Sequence, residues 1–195
     1  GQAPGELMVL ARKRTRLSQL YRHLNAHGLP AVMPEKNQLP EQLEVQDIMA
    51  LIDALLSPGN NAALAQVLKS PIVNWRDADL VALAIAAQTH AGNWWQALQH
   101  STQTPWQNLH TQLLRWQNWL RSQPVYDALF AIYDDGHIAQ RYAQAAPPAL
   151  RTRISANLQG LLAAALDFQS GRFSNSWQFV RALRNPREAG NFPAP

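Results

Sequence analysis

The chain has 195 residues, enough for one sizeable domain or two small ones, and its 47% hydrophobic content is ample for a packed core. It has no cysteine, which excludes disulfides, thiol nucleophiles and cysteine-based zinc sites and suits a reducing, cytoplasmic setting. With 17 basic and 13 acidic residues the formal charge is +4 and the pI near 9.9, an arginine-rich excess that suits nearby phosphate as well as it suits a solvated surface.

In chain order, Leu7 to Ala11 and Ala31 to Met33 are the two strand candidates. Between them Leu17, Leu20, Tyr21 and Leu24 recur at helical spacing, and Gly28 and Pro30 close that helix. The order predicts a small βαβ element. Its first strand ends in Arg12-Lys13-Arg14, which sets guanidinium groups beyond the carboxyl edge of a sheet, where open α/β folds bind ligands. Taken by itself, the same run reads better as charge that solubilises a strand end.

Helices follow. One is expected over 41–57, with Val45, Ile48, Met49, Ile52, Leu55 and Leu56 on one face and Pro58-Gly59 as its stop, and another over 61–69, ending before Pro71. Beyond Pro71 the strand signals vanish and all 7 tryptophans occur, from Trp75 to Trp177, so a second unit is read from residue 72. Asp77 is expected to cap a helix running to about Gln88, Asn93 to start a short one, and Thr104-Pro105 to cap and open a helix to about Ser122. On the last of these Leu109, Leu113, Trp116 and Leu120 form a stripe. Further helices are read at 125–134, 138–144, 149–169 and 176–183, punctuated by Gly136, Pro147-Pro148 and Ser170-Gly171. No apolar run of about 18 residues occurs, so neither a membrane-spanning helix nor an association with the membrane is expected.

No self-sufficient catalytic constellation is present. The sequence lacks the phosphate-loop, dinucleotide, zincin and nucleophile-elbow patterns. His23 and His27 stand one turn apart, but no third metal ligand accompanies them, and a solvated face is the better reading. Asp134-Asp135-Gly136-His137 lacks the alternating oxygen donors of a calcium loop, so helix termination at Gly136 explains it more simply. Asp77 and Asp79 suit a helix start better than paired acid-base chemistry. Trp94-Trp95 and Trp116 with Trp119 have the chemistry to stack bases, although interleaved Leu and Ala favour core packing.

Taken in order, several short pieces carry a resemblance. They are Val9-Leu10-Ala11-Arg12, Gly28-Leu29-Pro30, Glu44-Val45-Gln46-Asp47, Ser57-Pro58-Gly59-Asn60-Asn61 and Ser70-Pro71. Together they resemble the UvrD/Rep-type superfamily 1 DNA helicases, from the motif IV strand through the acidic element to the end of the following helix. The continuation "SPIVNWRDADLVALA" looks closer to the AddA/RecB-like branch than to UvrD itself, whose glycine-containing duplex-binding hairpin is not matched. The resemblance implies that residues 1–71 are the first part of the second RecA-like motor domain, 2A, and 72–195 the helical insertion 2B with a C-terminal linker. The expected fold class is therefore mainly α, with a partial RecA-like βαβ element followed by an irregular helical domain.

The same resemblance places Arg12 at the motif IV arginine, which reaches the γ-phosphate of ATP held mainly by the first motor domain. Glu44 and Asp47 match the acidic element and are expected to organise the helix start and domain contacts. The implied cofactors, ATP and Mg, belong to the full-length enzyme, as do the implied partners: DNA at a single-stranded/duplex junction, the remaining helicase domains, and an AddB/RecC-like subunit. Arg151, Arg153, Arg172, Arg181 and Arg184 are candidates for backbone phosphate contact. The chain looks like an excised piece of such an enzyme, without ATPase activity of its own. A helical protein-interaction module without nucleotide or DNA chemistry is the rival reading.

Overall fold

A computed structural model describes residues 23–24, 39–168 and 176–184. The chain divides into one unit of Gly1–Lys36 and a second of Asn37–Pro195. In the first unit His23 and Leu24 are helical, while the two expected strands and Arg12-Lys13-Arg14 lie outside the described residues. Among the described residues there is no strand, and the second unit is helical.

The second unit opens with a short 3-10 turn, Leu39–Glu41, followed by α1 (Leu43–Leu56) and α2 (Asn61–Lys69). Asn60 explains why α2 starts where it does, because its side chain accepts from the Ala63 N–H at 3.1 Å. The turn after α2 is tied down by Ser70, whose hydroxyl donates to the Val67 carbonyl at 2.8 Å, and it passes through a left-handed Asn74 (φ 62°). Helix α3 (Asp77–Ala87) runs into a 3-10 turn, Gln88–His90, closed by Ala91 and Gly92, both left-handed. Asn93 caps α4 (Trp94–Gln99) by accepting from the Gln96 N–H at 3.0 Å, and the Asn61 side chain bridges Gly92 and Trp94.

The remaining helices are α5 (Thr104–Ser122), α6 (Val125–Asp135), α7 (Ile138–Ala145), α8 (Pro148–Asp167) and α9 (Ser176–Arg184). The expected Leu109–Leu113–Trp116–Leu120 stripe is buried throughout. Two expected caps are corrected. The N-cap of α3 is Arg76, and Asp77 is already helical; Asp79 makes the local bond instead, its carboxylate accepting from the Arg76 N–H at 3.1 Å and Nε at 3.2 Å. Helix α5 begins one residue earlier than expected, with Gln103 as N-cap and Pro105 inside the first turn, where its missing N–H costs nothing.

Helix α1 is the spine of this unit. It packs against α2, α5, α8 and α9 and buries Glu44, Val45, every residue from Ile48 to Leu55, and hence far more than one face. A helix that is apolar nearly all round is stable only inside a core, which is where the surrounding helices put it. The two helices before Pro71 thus share their core with the helices after it. Gly136 ends α6 without a positive φ; it is needed for space, because a Cβ there would sit 2.9 Å from both Trp116 Cζ2 and Ile138 Cδ1. The left-handed residue is His137, with φ 48°. No helix among the described residues is long and apolar enough to cross a membrane.

Candidate functional site

The acidic element lies on α1, where later helices reach in to meet it. Glu44, 6% exposed, accepts from the Asn157 side-chain amide of α8 at 2.6 Å. Asp47 accepts from the Tyr142 hydroxyl of α7 at 2.7 Å and from the Gln66 amide of α2 at 3.0 Å. Asp53, one turn and a half further along, is ion-paired with Arg184 of α9. Gln117 of α5 donates to the Leu55 carbonyl at 2.6 Å. Four helices thus each place a polar side chain on α1, at sequence separations of 62, 95, 113 and 131 residues.

Electrostatics follow from this burial. The Tyr142 hydroxyl is pushed up, first by desolvation and then by the Asp47 charge beside it, so it stays protonated and donates. Tyr133 is pushed up by burial, with a further contribution from Glu44. These carboxylates are acceptors held by fixed donors, which makes them positioning groups for the helices rather than acid-base catalysts.

The other acidic candidates are also absorbed by structure. Asp135 receives Trp116 Nε1 at 2.7 Å, Arg115 at 2.7 and 2.8 Å and Gln112 at 3.5 Å, so the 134–137 loop is a clamp between α5 and α6. Burial works against its charge, but the bonds from Arg115, Trp116 and Gln112 outweigh it and hold the carboxyl below the usual range. Asp77 pairs with Lys69, and Asp79 is held low chiefly by the Arg76 side chain. No group of three or more potential metal ligands occurs among the described residues, and His27 lies outside them.

Among the tryptophans, Trp95, Trp106 and Trp116 are buried, while Trp75, Trp94 and Trp119 pack partly buried against the core. Core packing therefore takes most of them. Of the basic candidates, Arg151 is exposed with its Nε donating to the Ala146 carbonyl at 3.1 Å, Arg153 is exposed nearby on α8, and Arg181 is exposed on α9. Arg184 is half exposed but engaged by Asp53, and Arg172 lies outside the described residues. A cleft of about 640 Å³ opens between α1, α2 and α9, lined in part by Gln46, Asp53, Gln66 and Arg184. Sequence reasoning missed Asn157 and Gln117; the available signal was a polar residue inside an otherwise apolar helical face, beside Leu158 and Leu120 respectively.

Residues 2–146, most of the chain, match the UvrD-like helicase C-terminal domain. The chain belongs to the UvrD-like helicase C-terminal domain family. Its relatives include an ATP-dependent helicase/nuclease protein of the AddA type from Leuconostoc mesenteroides, 26% identical, in a match covering 91% of this chain and 14% of that protein. Proteins of the same name from Streptococcus thermophilus (25% identical; 95% of this chain, 16% of the relative) and Geobacillus kaustophilus (23%; 95% and 16%) match over almost the whole chain. This UvrD-like chain thus spans 14–16% of the length of these curated relatives. The sequence resemblance to the AddA-type branch agrees with these names, and the α1 acidic element falls inside the matched region.

Proposed function

We propose that this chain is part of an ATP-driven DNA helicase or translocase of recombination and break repair. Residues up to about Pro71 supply the first part of the second motor domain, and the helices beyond supply its 2B insertion. The observation that carries the reading is the family match over residues 2–146, supported by relatives that bear helicase/nuclease names. The partial βαβ element belongs to the motor domain in this reading, and the protein works in the cytoplasm.

In the full-length enzyme ATP and Mg bind mainly on the first motor domain, and this chain offers one cation to them. Arg12 reaches the γ-phosphate and stabilises the charge that spreads over the transferring phosphoryl group. Lobe closure then depends on whether that phosphate is present. The chain alone holds no phosphate loop in its sequence and does not hydrolyse ATP. DNA at a single-stranded/duplex junction is the polymeric substrate, and the protein partners are the remaining helicase domains and an AddB/RecC-like subunit. Arg151 and Arg153, exposed together on α8, are the best placed of the basic candidates to meet backbone phosphate, whereas Arg184 is already paired.

The test is DNA-stimulated ATP hydrolysis by the longer polypeptide that carries this chain. Arg12→Ala should lower kcat by about a thousandfold, the scale of a lost arginine at a phosphoryl-transfer site, while the 195-residue chain alone shows no hydrolysis. Unchanged turnover in Arg12→Ala would remove Arg12 from the mechanism. Hydrolysis by the isolated chain would overturn the division of labour.

A further inference from the structure

We propose that the cleft between the 70–76 turn, α5 and α7 binds one nucleotide of a single-stranded nucleic acid, with its base against Trp75 and its phosphate on Arg141 and Arg115. The cleft measures about 510 Å³ and is lined by Val73, Trp75, Asn108, Gln112, Arg115 and Arg141, among others. That volume lies within the range of small-ligand sites, roughly 300–1,000 Å³. None of these side chains belongs to the acidic element or to the basic candidates of α8 and α9.

The turn presents Trp75 in a fixed position. The Val73 and Asn74 N–H groups both donate to the Ser70 carbonyl, at 3.2 and 2.8 Å, and the Trp75 N–H returns to the Leu68 carbonyl at 2.8 Å. Asn74 takes the left-handed conformation that lets the chain reverse so tightly. Trp75 itself is half-buried, leaning on Trp106 with ring centroids 5.7 Å apart. A rigid aromatic face at the edge of a cleft is what an unpaired base stacks on, and stacking tolerates any base.

Both arginines are held at one nitrogen and keep further N–H groups for a ligand. Arg141, half-buried, donates through one terminal nitrogen to the Ile72 carbonyl; a carbonyl carries no full charge, so the guanidinium charge stays uncompensated. Arg115 spends one nitrogen on both oxygens of Asp135, and its guanidinium lies 5.8 Å over the Trp119 ring. Guanidiniums already ordered by internal bonds lose little freedom on gripping an oxyanion. Asn108 and Gln112 add amides that donate and accept, which suits the hydrogen-bonding edge of a base better than a plain anion. A base inside a duplex has no face to offer Trp75, so the occupant is single-stranded.

This assignment rests on the nucleic-acid reading above, and its test separates the two. Anisotropy of a short fluorescein-labelled oligothymidylate is measured at low salt with the full chain and its variants, each checked for native helicity and melting. Trp75→Leu should weaken binding about tenfold and Trp75→Phe by less than about threefold. Arg141→Gln, which keeps a donor for Ile72, should lower the slope of log affinity against log salt by about one. A duplex should compete poorly. If both cleft variants bind like wild type while Arg151→Gln with Arg153→Gln abolishes binding, the cleft assignment is overturned and the nucleic-acid reading stands. If wild type binds no oligonucleotide at low salt, both fail. If polyglutamate displaces the oligonucleotide and Trp75→Leu has no effect, the cleft is an anion site for acidic protein and the nucleotide assignment is overturned.

Discussion

Helices α1 and α3 are built from much the same residues and meet opposite fates. α1, LEVQDIMALIDALL, is buried almost all round, whereas α3, DADLVALAIAA, fully buries only Leu83 and Ala87 and leaves Val81 and Ile85 58% and 61% exposed. The difference is not one of apolar content. It comes from neighbours: α1 is enclosed by α2, α5, α8 and α9, while α3 lies against α2 and α4 on one side only. A segment's own hydrophobicity sets what it is able to bury, and the rest of the fold decides what it does bury.

Truncation should expose this contrast most strongly at Ile52, which has no exposed surface. Ile52→Ala removes packed atoms that the enclosing helices cannot replace, so it should cost about 3 kcal/mol in urea unfolding. A loss below about 1 kcal/mol would mean that α1 is not enclosed as described.

Asn157→Ala comes next. It strips the donor from Glu44, which is 6% exposed, and a buried carboxylate left unmet costs about 2 kcal/mol. Replacing both residues by Leu should recover much of that loss, because the penalty lies in the orphaned charge more than in the lost bond. A double-mutant cycle measures it: coupling near zero would show that the 2.6 Å contact does not stabilise the unit.

These two sites mark the boundary of what the sequence disclosed. Every helix between residues 41 and 168 was legible to within one or two residues at most ends, because prolines, glycines and asparagine caps punctuate them locally. The stripe on α5 was legible for the same reason. The polar groups on α1 were legible only as a motif, since their partners lie 95 to 131 residues away and no local pattern reaches that far. Trp75 and Arg141 share a cleft through folding alone, at helices and turns separated by most of the chain's middle third. Gly136 looked like a terminator by type and proved to be one by volume.

Asp135 gives a smaller effect that is tuned by pH. Its folded pKa is depressed, so its contribution is present above the unfolded carboxyl value, near about 4, and is lost as pH falls through the folded value. Asp135→Asn should therefore narrow the gap in stability between neutral and acid pH, by about 1 kcal/mol at most for a side chain 25% exposed. Melting temperature followed from pH 7 to pH 3 checks this, with near-ultraviolet circular dichroism reporting Trp116. Parallel pH profiles for the variant and the wild type would show that the clamp's charge is not linked to folding.

The smallest expected effect completes the contrast with Ile52. Val81 and Ile85 lie one turn apart on the open side of α3, so their side chains are about as hydrated folded as unfolded. Val81→Ala and Ile85→Ala should each change stability by no more than about 0.5 kcal/mol. Alanine's higher helix propensity offsets part of whatever contact is lost, so the sign of the change is set by a small difference. The measurement is sharper than its size suggests, because Ile52→Ala and Ile85→Ala remove the same atoms from helices of similar composition. Similar losses at both positions would mean that something covers the open side of α3; a gap of about 2.5 kcal/mol or more would tie the cost to enclosure by neighbouring helices.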